Sequence, residues 1–337
     1  MDNNKIEIIT VYNACNYGSF LQAYALQEVI SSEGYEVGFK KIDIDYDKVV
    51  GKDQFDNQYV LYEKEKYERL VENQKLFHVW DKSENMYRCD VIGSDTIWNL
   101  FDPTYEEIPY FVGKGLSCNK VISYAASVGQ QSLIKILIMK GIKLLPITKL
   151  DEISVRDDKT EKLLKLFGKK PIRVLDPTFL YDFNTSKPFV DIPEHYILVY
   201  TYGFDEEKII KIKNYSQKKN LPIIATGSLC EWADYNLAVD SFEWLWLVKN
   251  ADYVLTNTFH GTVFSIKYSK QFAVLTNDSD KVNSLLKEFS LTSRICNNSD
   301  FEYILEQDID YDRVQKFIKL RVKQSKEFLL NGVKNGN

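Results

Sequence analysis

The second half of the chain alternates short apolar runs with stretches of helical spacing, and that order limits the folds open to it. Apolar runs at 196–202, 222–226, 253–255 and 272–275 are each followed by a helical segment, at 205–218, 242–250, 262–268 and 281–289. Strands separated by helices cannot pair as hairpins. They pair in parallel through right-handed crossovers, so an α/β domain with a doubly wound sheet is expected.

The first half follows the same order with more interruption. Strands are expected at 6–12, 37–44, 89–92, 120–127 and 173–180, the last broken by Asp176-Pro177, with helices at 20–30 and 160–167. The charged, tyrosine-rich stretch 45–86 is read as helices and loops around the first sheet, with His78 a structural residue on a packed helix. A length of 337 residues suits two cores rather than one. The expected domains are 1–183 on the acceptor side and 184–310 on the donor side, joined through a linker holding Pro188 and Pro193. Residues 311–337 are expected to form a terminal helix and tail packing across both.

Composition excludes several classes. A net charge of −5 with no long Lys/Arg block argues against nucleic acid as a partner. Five scattered cysteines without a C-x-x-C pair point neither to a disulfide framework nor to zinc, so a reducing cytoplasm and metal independence are expected. The start MDNNKIEIIT lacks the features of a signal peptide, and no apolar run reaches membrane-spanning length. Segment 133–145 (LIKILIMKGIKLL) has two readings: a basic amphipathic helix on a membrane surface, or, preferred here, a helix packed on the sheet with its lysines in water.

Candidate site residues gather where strands end. In ADYVLTNTFHGTVFSIKYSKQFAVLT (251–276), His260 falls at a strand-to-helix turn, where N–H groups and the helix dipole favour anions, and Gly261 permits close approach. Strand, turn and helix recur at 6–30, where Asn16, Gly18, Ser19 and Gln22 line a cleft on one reading, and Ser19 caps a helix and Gly18 serves a turn on the other. Gly93-Ser94-Asp95 ends another strand, offering Asp95 as general base, hydroxyl ligand or turn cap. Arg156 can present a fork to an anion or pair with Glu152, Asp157 or Asp158. Asp176 faces the cleft or stabilises its turn; Trp244, Trp246 and His195 read as structural.

These segments together resemble the polysaccharide pyruvyltransferase family. Thr256-Asn257-Thr258-Phe259-His260-Gly261-Thr262 is similar to its T-N-S-F-H-G-T signature, Gly93 to Asn99 to its G-S-D-x-x-W-N motif, and Asn16-Tyr17-Gly18-Ser19 to its amino-terminal motif. Ser154-Val155-Arg156-Asp157 and the Asp176-Pro177 segment also resemble it. The resemblance implies a GT-B-like pair of Rossmann-like domains about a deep cleft, and transfer of a pyruvyl group from phosphoenolpyruvate to a sugar of a capsule, exopolysaccharide or cell-wall precursor as a cyclic ketal. No cofactor is implied beyond that donor. A lipid-linked acceptor implies a place at the inner membrane face. The implied catalytic set is His260 as acid or phosphate ligand, Asp95 as base, and Arg156 in the anion cradle with the backbone of 259–262. Substrate contacts fall to Asn16, Tyr17, Gly18, Ser19, Gln22, Ser94, Trp98 and Asn99, and to Asn257, Thr258, Phe259, Gly261 and Thr262. Some members of the family carry an arginine where this chain has Thr258, so the positive charge must come from elsewhere, with Arg156, Lys267 and Arg294 as candidates.

Two other classes compete. A glycosyltransferase of the same architecture would need an acidic residue for ribose, for which Asp240 and Glu243 are candidates, and a basic pair for diphosphate, which is not visible. A non-catalytic carbohydrate-binding protein would not need a histidine at a helix start in the cleft.

Overall fold

A computed structural model of the chain describes residues 4–42, 57–80, 87–116, 118–276, 279–296 and 301–334. Strands β1 (Lys5–Ile9), β2 (Glu36–Lys40), β3 (Val79–Trp80), β4 (Cys89–Ile92), β5 (Val121–Ala126), β6 (Glu152–Val155) and β7 (Ile172–Arg173) form one parallel sheet in the order β3-β2-β1-β4-β5-β6-β7. Strands β8 (Ile197–Thr201), β9 (Ile223–Gly227), β10 (Tyr235–Asn236), β11 (Tyr253–Thr256) and β12 (Gln271–Val274) form a second, also parallel, in the order β10-β9-β8-β11-β12. The helices are α1 (Tyr17–Ser31), α2 (Asn57–Gln74), α3 (Pro103–Glu106), α4 (Leu133–Leu144), α5 (Asp158–Leu166) and α6 (Glu206–Lys219). Then come α7 (Ser241–Asn250), α8 (Phe259–Lys267), α9 (Asp280–Glu288), α10 (Phe301–Glu306) and α11 (Tyr311–Lys334).

Strands such as β8 and β11 are continuous apolar runs because both faces of the sheet are covered. The β8 sequence ILVYT is buried at every position. In both sheets the chain winds outward in one direction, returns to the middle and winds the other way. The strand order therefore reverses between β1 and β4, and again between β8 and β11. Such switch points leave a crevice at the carboxyl ends of the strands, where open α/β sheets bind ligands.

Capping sets where the two flanking helices begin. Asn16 accepts from the Ser19 N–H at 3.0 Å to start α1, and Thr258 accepts from the Gly261 N–H at 3.0 Å to start α8. Both caps stand at the crevice.

The two sheets are held together by elements that leave one and return to the other. Helix α2 reaches the second sheet's side. Lys66 Nζ donates to the Gly227 carbonyl at 2.6 Å, Arg69 pairs with Glu243 at 2.9 Å, and Asn73 accepts from the Ser241 N–H at 2.9 Å. This corrects the expectation for 45–86, of which 45–56 and 81–86 lie outside the described residues. His78 is not on a helix; it precedes β3, packed edge-on against Trp80. The interface is aromatic, with Tyr17 of α1 stacked on Trp244 of α7 at 5.4 Å. Helix α11 begins beside the second sheet, where Gln315 donates to the Lys267 carbonyl, and ends on the first, where Ser325 accepts from the Leu175 N–H and Gly332 abuts Ile122.

Two further expectations change. The strand at 173–180 is only the pair Ile172–Arg173, because Asp176 caps the Thr178 N–H and Pro177 opens a single turn of 3-10 helix. Helix α4 forms as expected, but its apolar residues do not pack down: only Ile136, Gly141 and Leu144 are buried, while Ile134, Ile138 and Ile142 face solvent.

Candidate active site

The crevices of the two sheets face each other across a cleft of about 270 Å³. One wall carries Asn16 and Ser19 from the start of α1, Asp95 and Thr96 after β4, Tyr105 and Gln130. The other carries Tyr200 and Tyr202 at the end of β8, the turn from Asn257 to His260, Ser279 and Lys281.

Behind these walls runs a line of charge that crosses from one domain to the other. His260 Nε2 stands 3.8 Å from Asp176 Oδ2, an ion-pair separation too long for a hydrogen bond. Asp176 accepts from Arg156 Nη1 at 2.6 Å, and Arg156 Nη2 donates to Asp95 at 3.1 Å. Asp95 in turn accepts from the Ser19 hydroxyl at 2.8 Å. Asp95 is held in the left-handed region at φ 71°, its backbone carbonyl accepting from the Ser127 N–H.

Burial alone would raise the pKa of both carboxyls. The Arg156 guanidinium overrules it at Asp95, helped by His260, Lys281 and the Ser19 hydroxyl, and holds that carboxyl below its ordinary value. His260 and Arg156 together depress Asp176 strongly. Arg156 is itself pushed up, since the two carboxylates outweigh its desolvation. Lys281 moves the other way: burial first, and Arg156 second, make its ammonium easier to deprotonate.

His260 is held on two sides. A Cβ built on Gly18 would lie 1.9 Å from its Nδ1, so only glycine lets the imidazole seat against α1. Its Nε2 is buried on the side of Asp176 and has no hydrogen-bond partner among the described residues.

The residues singled out from the sequence divide into two layers. Asn16, Ser19, Asp95, Asn257, Thr258, Phe259 and His260 line the cleft. The others stand behind it. Gln22 is fully buried and accepts from the Ser94 N–H and hydroxyl, holding the turn that carries Asp95. Trp98 is buried with its indole N–H on the Phe111 carbonyl, Asn99 packs against Gly129, and Tyr17 lies in the aromatic interface. Gly261 abuts the Thr256 and Thr258 hydroxyls, and the Thr262 hydroxyl donates to the Thr258 carbonyl.

Arg156 is the main correction. It is buried between Asp95 and Asp176 with its guanidinium 4.5 Å from the Phe259 ring, so its fork is taken by protein carboxylates and it shapes the site from behind. Lys267 donates to the Thr178 carbonyl and Arg294 to those of Ile304 and Gln307, which removes both as ligands.

The cation in the cleft is Lys281, which forms no ion pair with any described residue and sits 5.8 Å from the Phe259 ring. No motif contains it. Its one sequence signal is a lysine in the first turn of α9, where the helix dipole disfavours positive charge. Tyr200, Tyr202, Tyr105 and Gln130 were likewise not identified from the sequence. Asp240 and Glu243, the candidate ribose acids, form the capping box of α7, with Glu243 also paired to Arg69, and neither lines the cleft. Among the described residues no group of three or more His, Cys, Asp or Glu could hold a metal ion.

Two parallel sheets with central reversals facing one cleft, tied by a terminal helix that returns to the first, define a two-domain GT-B-type fold. Residues 16–279 match the family described as polysaccharide pyruvyl transferase, and the chain belongs to that family. No curated protein shows significant similarity to the chain. Among solved structures, it is similar to a putative UDP-N-acetylglucosamine 2-epimerase from Listeria monocytogenes, with TM-score 0.54, 10% identity, and coverage of 99% of this chain and 96% of that one. A UDP-GlcNAc 2-epimerase from Methanocaldococcus jannaschii gives TM-score 0.52 and 11% identity over 94% of this chain and 92% of that one. At such identities the likeness is one of fold.

Proposed function

We propose that the protein transfers the pyruvyl group of phosphoenolpyruvate to two hydroxyls of a saccharide, forming a cyclic ketal and inorganic phosphate. The observation that carries this reading is the polarity of the cleft in a member of this family. An imidazole with no hydrogen-bond partner and an ammonium with no ion pair among the described residues line one wall, and a hydrogen-bonded carboxylate lines the other.

The donor is a small trianion and fits the second-domain wall. Lys281 and the N–H groups of Phe259 and His260 at the start of α8 hold phosphate and carboxylate. His260 delivers a proton to the methylene carbon, and positive charge develops at the carbon bearing the carboxylate. One acceptor hydroxyl adds there, the ester oxygen departs with phosphate, and the second hydroxyl closes the ring. Of the two hydroxyl protons released, one balances the proton given to carbon and the other leaves on phosphate.

Asn16, Ser19 and Asp95 present the acceptor. The depressed pKa of Asp95 makes it a weak base, so its role here is to accept hydrogen bonds from the sugar hydroxyls and orient them. The reaction needs no cofactor beyond its two substrates. The acceptor belongs to a capsule, exopolysaccharide or cell-wall precursor, carried on lipid at the cytoplasmic face of the inner membrane.

Calorimetric titration with phosphoenolpyruvate, beside UDP- and GDP-sugars, tests the reading. Wild type should bind phosphoenolpyruvate, Lys281→Met should weaken it at least about tenfold, as expected for loss of a charge-assisted contact, and His260→Ala should lose turnover. Binding of a nucleotide sugar in place of phosphoenolpyruvate would overturn it.

A further inference from the structure

Helix α4 displays its apolar residues outward. Ile134, Ile138 and Ile142 follow one another at four-residue intervals and are 72%, 80% and 85% exposed, with Met139 and Leu145 exposed beside them. A contiguous exposed stripe of this kind marks a binding surface. Its charge is one-sided as well. Residues 133–149 carry Lys135, Lys140, Lys143 and Lys149 and no acidic residue, in a chain whose net charge is −5. Lys140 and Lys143 both pair with Glu106, which pins the helix, while Lys135 lies over the Phe101 ring at 5.0 Å and remains exposed among the isoleucines.

We propose that this face of α4 docks the protein on an anionic membrane surface, with the isoleucine stripe entering the headgroup boundary and the lysines meeting lipid phosphates. Charge selects this occupant over a second copy. An antiparallel two-fold contact through the stripe would bring Lys135 of one copy toward Lys143 of the other, whereas an anionic leaflet complements the exposed Lys135, Lys143 and Lys149.

The position of the helix gives docking a purpose. Gln130, two residues before the cap Ser132, lines the cleft, as does Tyr105, the neighbour of the Glu106 that holds the lysines. The amino-terminal end of the helix therefore lies near the cleft, on the wall that carries Asn16, Ser19 and Asp95. A saccharide carried on lipid enters from the surface on which the helix lies.

The test is co-sedimentation of the full chain with vesicles of phosphatidylcholine alone and of equimolar phosphatidylcholine and phosphatidylglycerol, at physiological ionic strength. Wild type should pellet with the anionic vesicles. Ile138→Glu/Ile142→Glu, folded by thermal melt since both positions are exposed, should bind at least about tenfold more weakly, and Lys135→Glu should weaken binding as salt does. No pelleting of wild type, or unchanged pelleting of the isoleucine pair variant, overturns the proposal. So does a wild-type dimer that the same pair of substitutions dissociates, which would make a second copy the occupant. The vesicles contain neither donor nor saccharide, so this outcome is separate from that of the pyruvyl-transfer reading.

Discussion

Gly18→Ala tests the architecture of the site without touching a group that contacts substrate. The new methyl would lie 1.9 Å from His260 Nδ1, 2.3 Å from Cγ and 2.7 Å from Cε1. Ordinary carbon contacts begin near 3.5 Å, so the imidazole must move by about 1.5 Å. Overpacking of that kind costs about 1–3 kcal/mol, and the better helix propensity of alanine at this position in α1 returns up to about 1 kcal/mol. The net destabilisation should be about 0–2 kcal/mol, with the protein folded. Turnover should suffer far more, by about 100-fold, because a displacement of this size removes a proton donor from its reacting carbon. A double-mutant cycle isolates the contact. In a His260→Ala background the methyl meets empty space, so urea unfolding of the four proteins should give a coupling energy of about 1–3 kcal/mol. Gly141→Ala serves as control: its nearest new contact is at 3.9 Å, in a helix interior. A coupling energy near zero would refute the contact between α1 and His260. Near-normal turnover with the coupling intact would refute His260 as the acid.

Arg156→Met should be among the most damaging single changes, costing about 3–5 kcal/mol at pH 7, because it leaves Asp95 and Asp176 buried without their shared cation. Both carboxyls have depressed pKa values in the native protein, so the stability they contribute is present above the ordinary carboxylate range and is lost as pH falls. The deficit of the variant should therefore shrink as pH falls below about 4 in urea unfolding, and a deficit independent of pH would count against the charge argument. Asp90 behaves oppositely. Burial first, then Glu7 beside it on β1, push its carboxyl from 3.8 up to about 7, against the pull of Lys40 and the Cys118 thiol. Its contribution is complete below about pH 4 and disappears as pH rises through 7, a span worth at most ~4 kcal/mol. Asp90→Asn should accordingly gain on wild type between pH 5 and pH 8 by about 1–3 kcal/mol, and a difference that does not grow with pH would refute this.

How much of this was legible in the sequence depends on what each element had to do. Parallel strands such as β8 and β11 are buried on both faces and so read as unbroken apolar runs, and the turn at Thr258 to Gly261 stood out because cap, imidazole and glycine fall in one short stretch. Two-residue strands such as β3 and β10 are too short to show any period. Helix α2 is rich in charge because it presents Lys66 and Arg69 to the other domain, and composition alone cannot say which sheet a charged helix serves. Motif membership separated site from non-site but not wall from support. Gln22 and Asn16 are both amides near the start of α1, yet one is buried beneath Ser94 and the other faces the cleft. Lys281 was missed for the converse reason. It belongs to no motif and reaches the cleft only because α9 begins beside α8, a neighbourhood set by the second sheet.

The candidate acid is built by both domains at once. His260 belongs to the second, but the surface it rests on is Gly18 of α1 and the carboxylate it faces is Asp176, which follows the first sheet. The same two contacts would be lost together if the domains swung apart. Asp176 is in turn tied through Arg156 to Asp95 and so to Ser19, the residue after Gly18, which closes a loop of contacts around the acceptor wall. Separating the domains would take from His260 both the carboxylate it faces and the glycine it rests on, while Lys281 and α8 would stay together on the second domain. Lys66 on the Gly227 carbonyl and Arg69 on Glu243 tie the two domains in the arrangement that brings these contacts together.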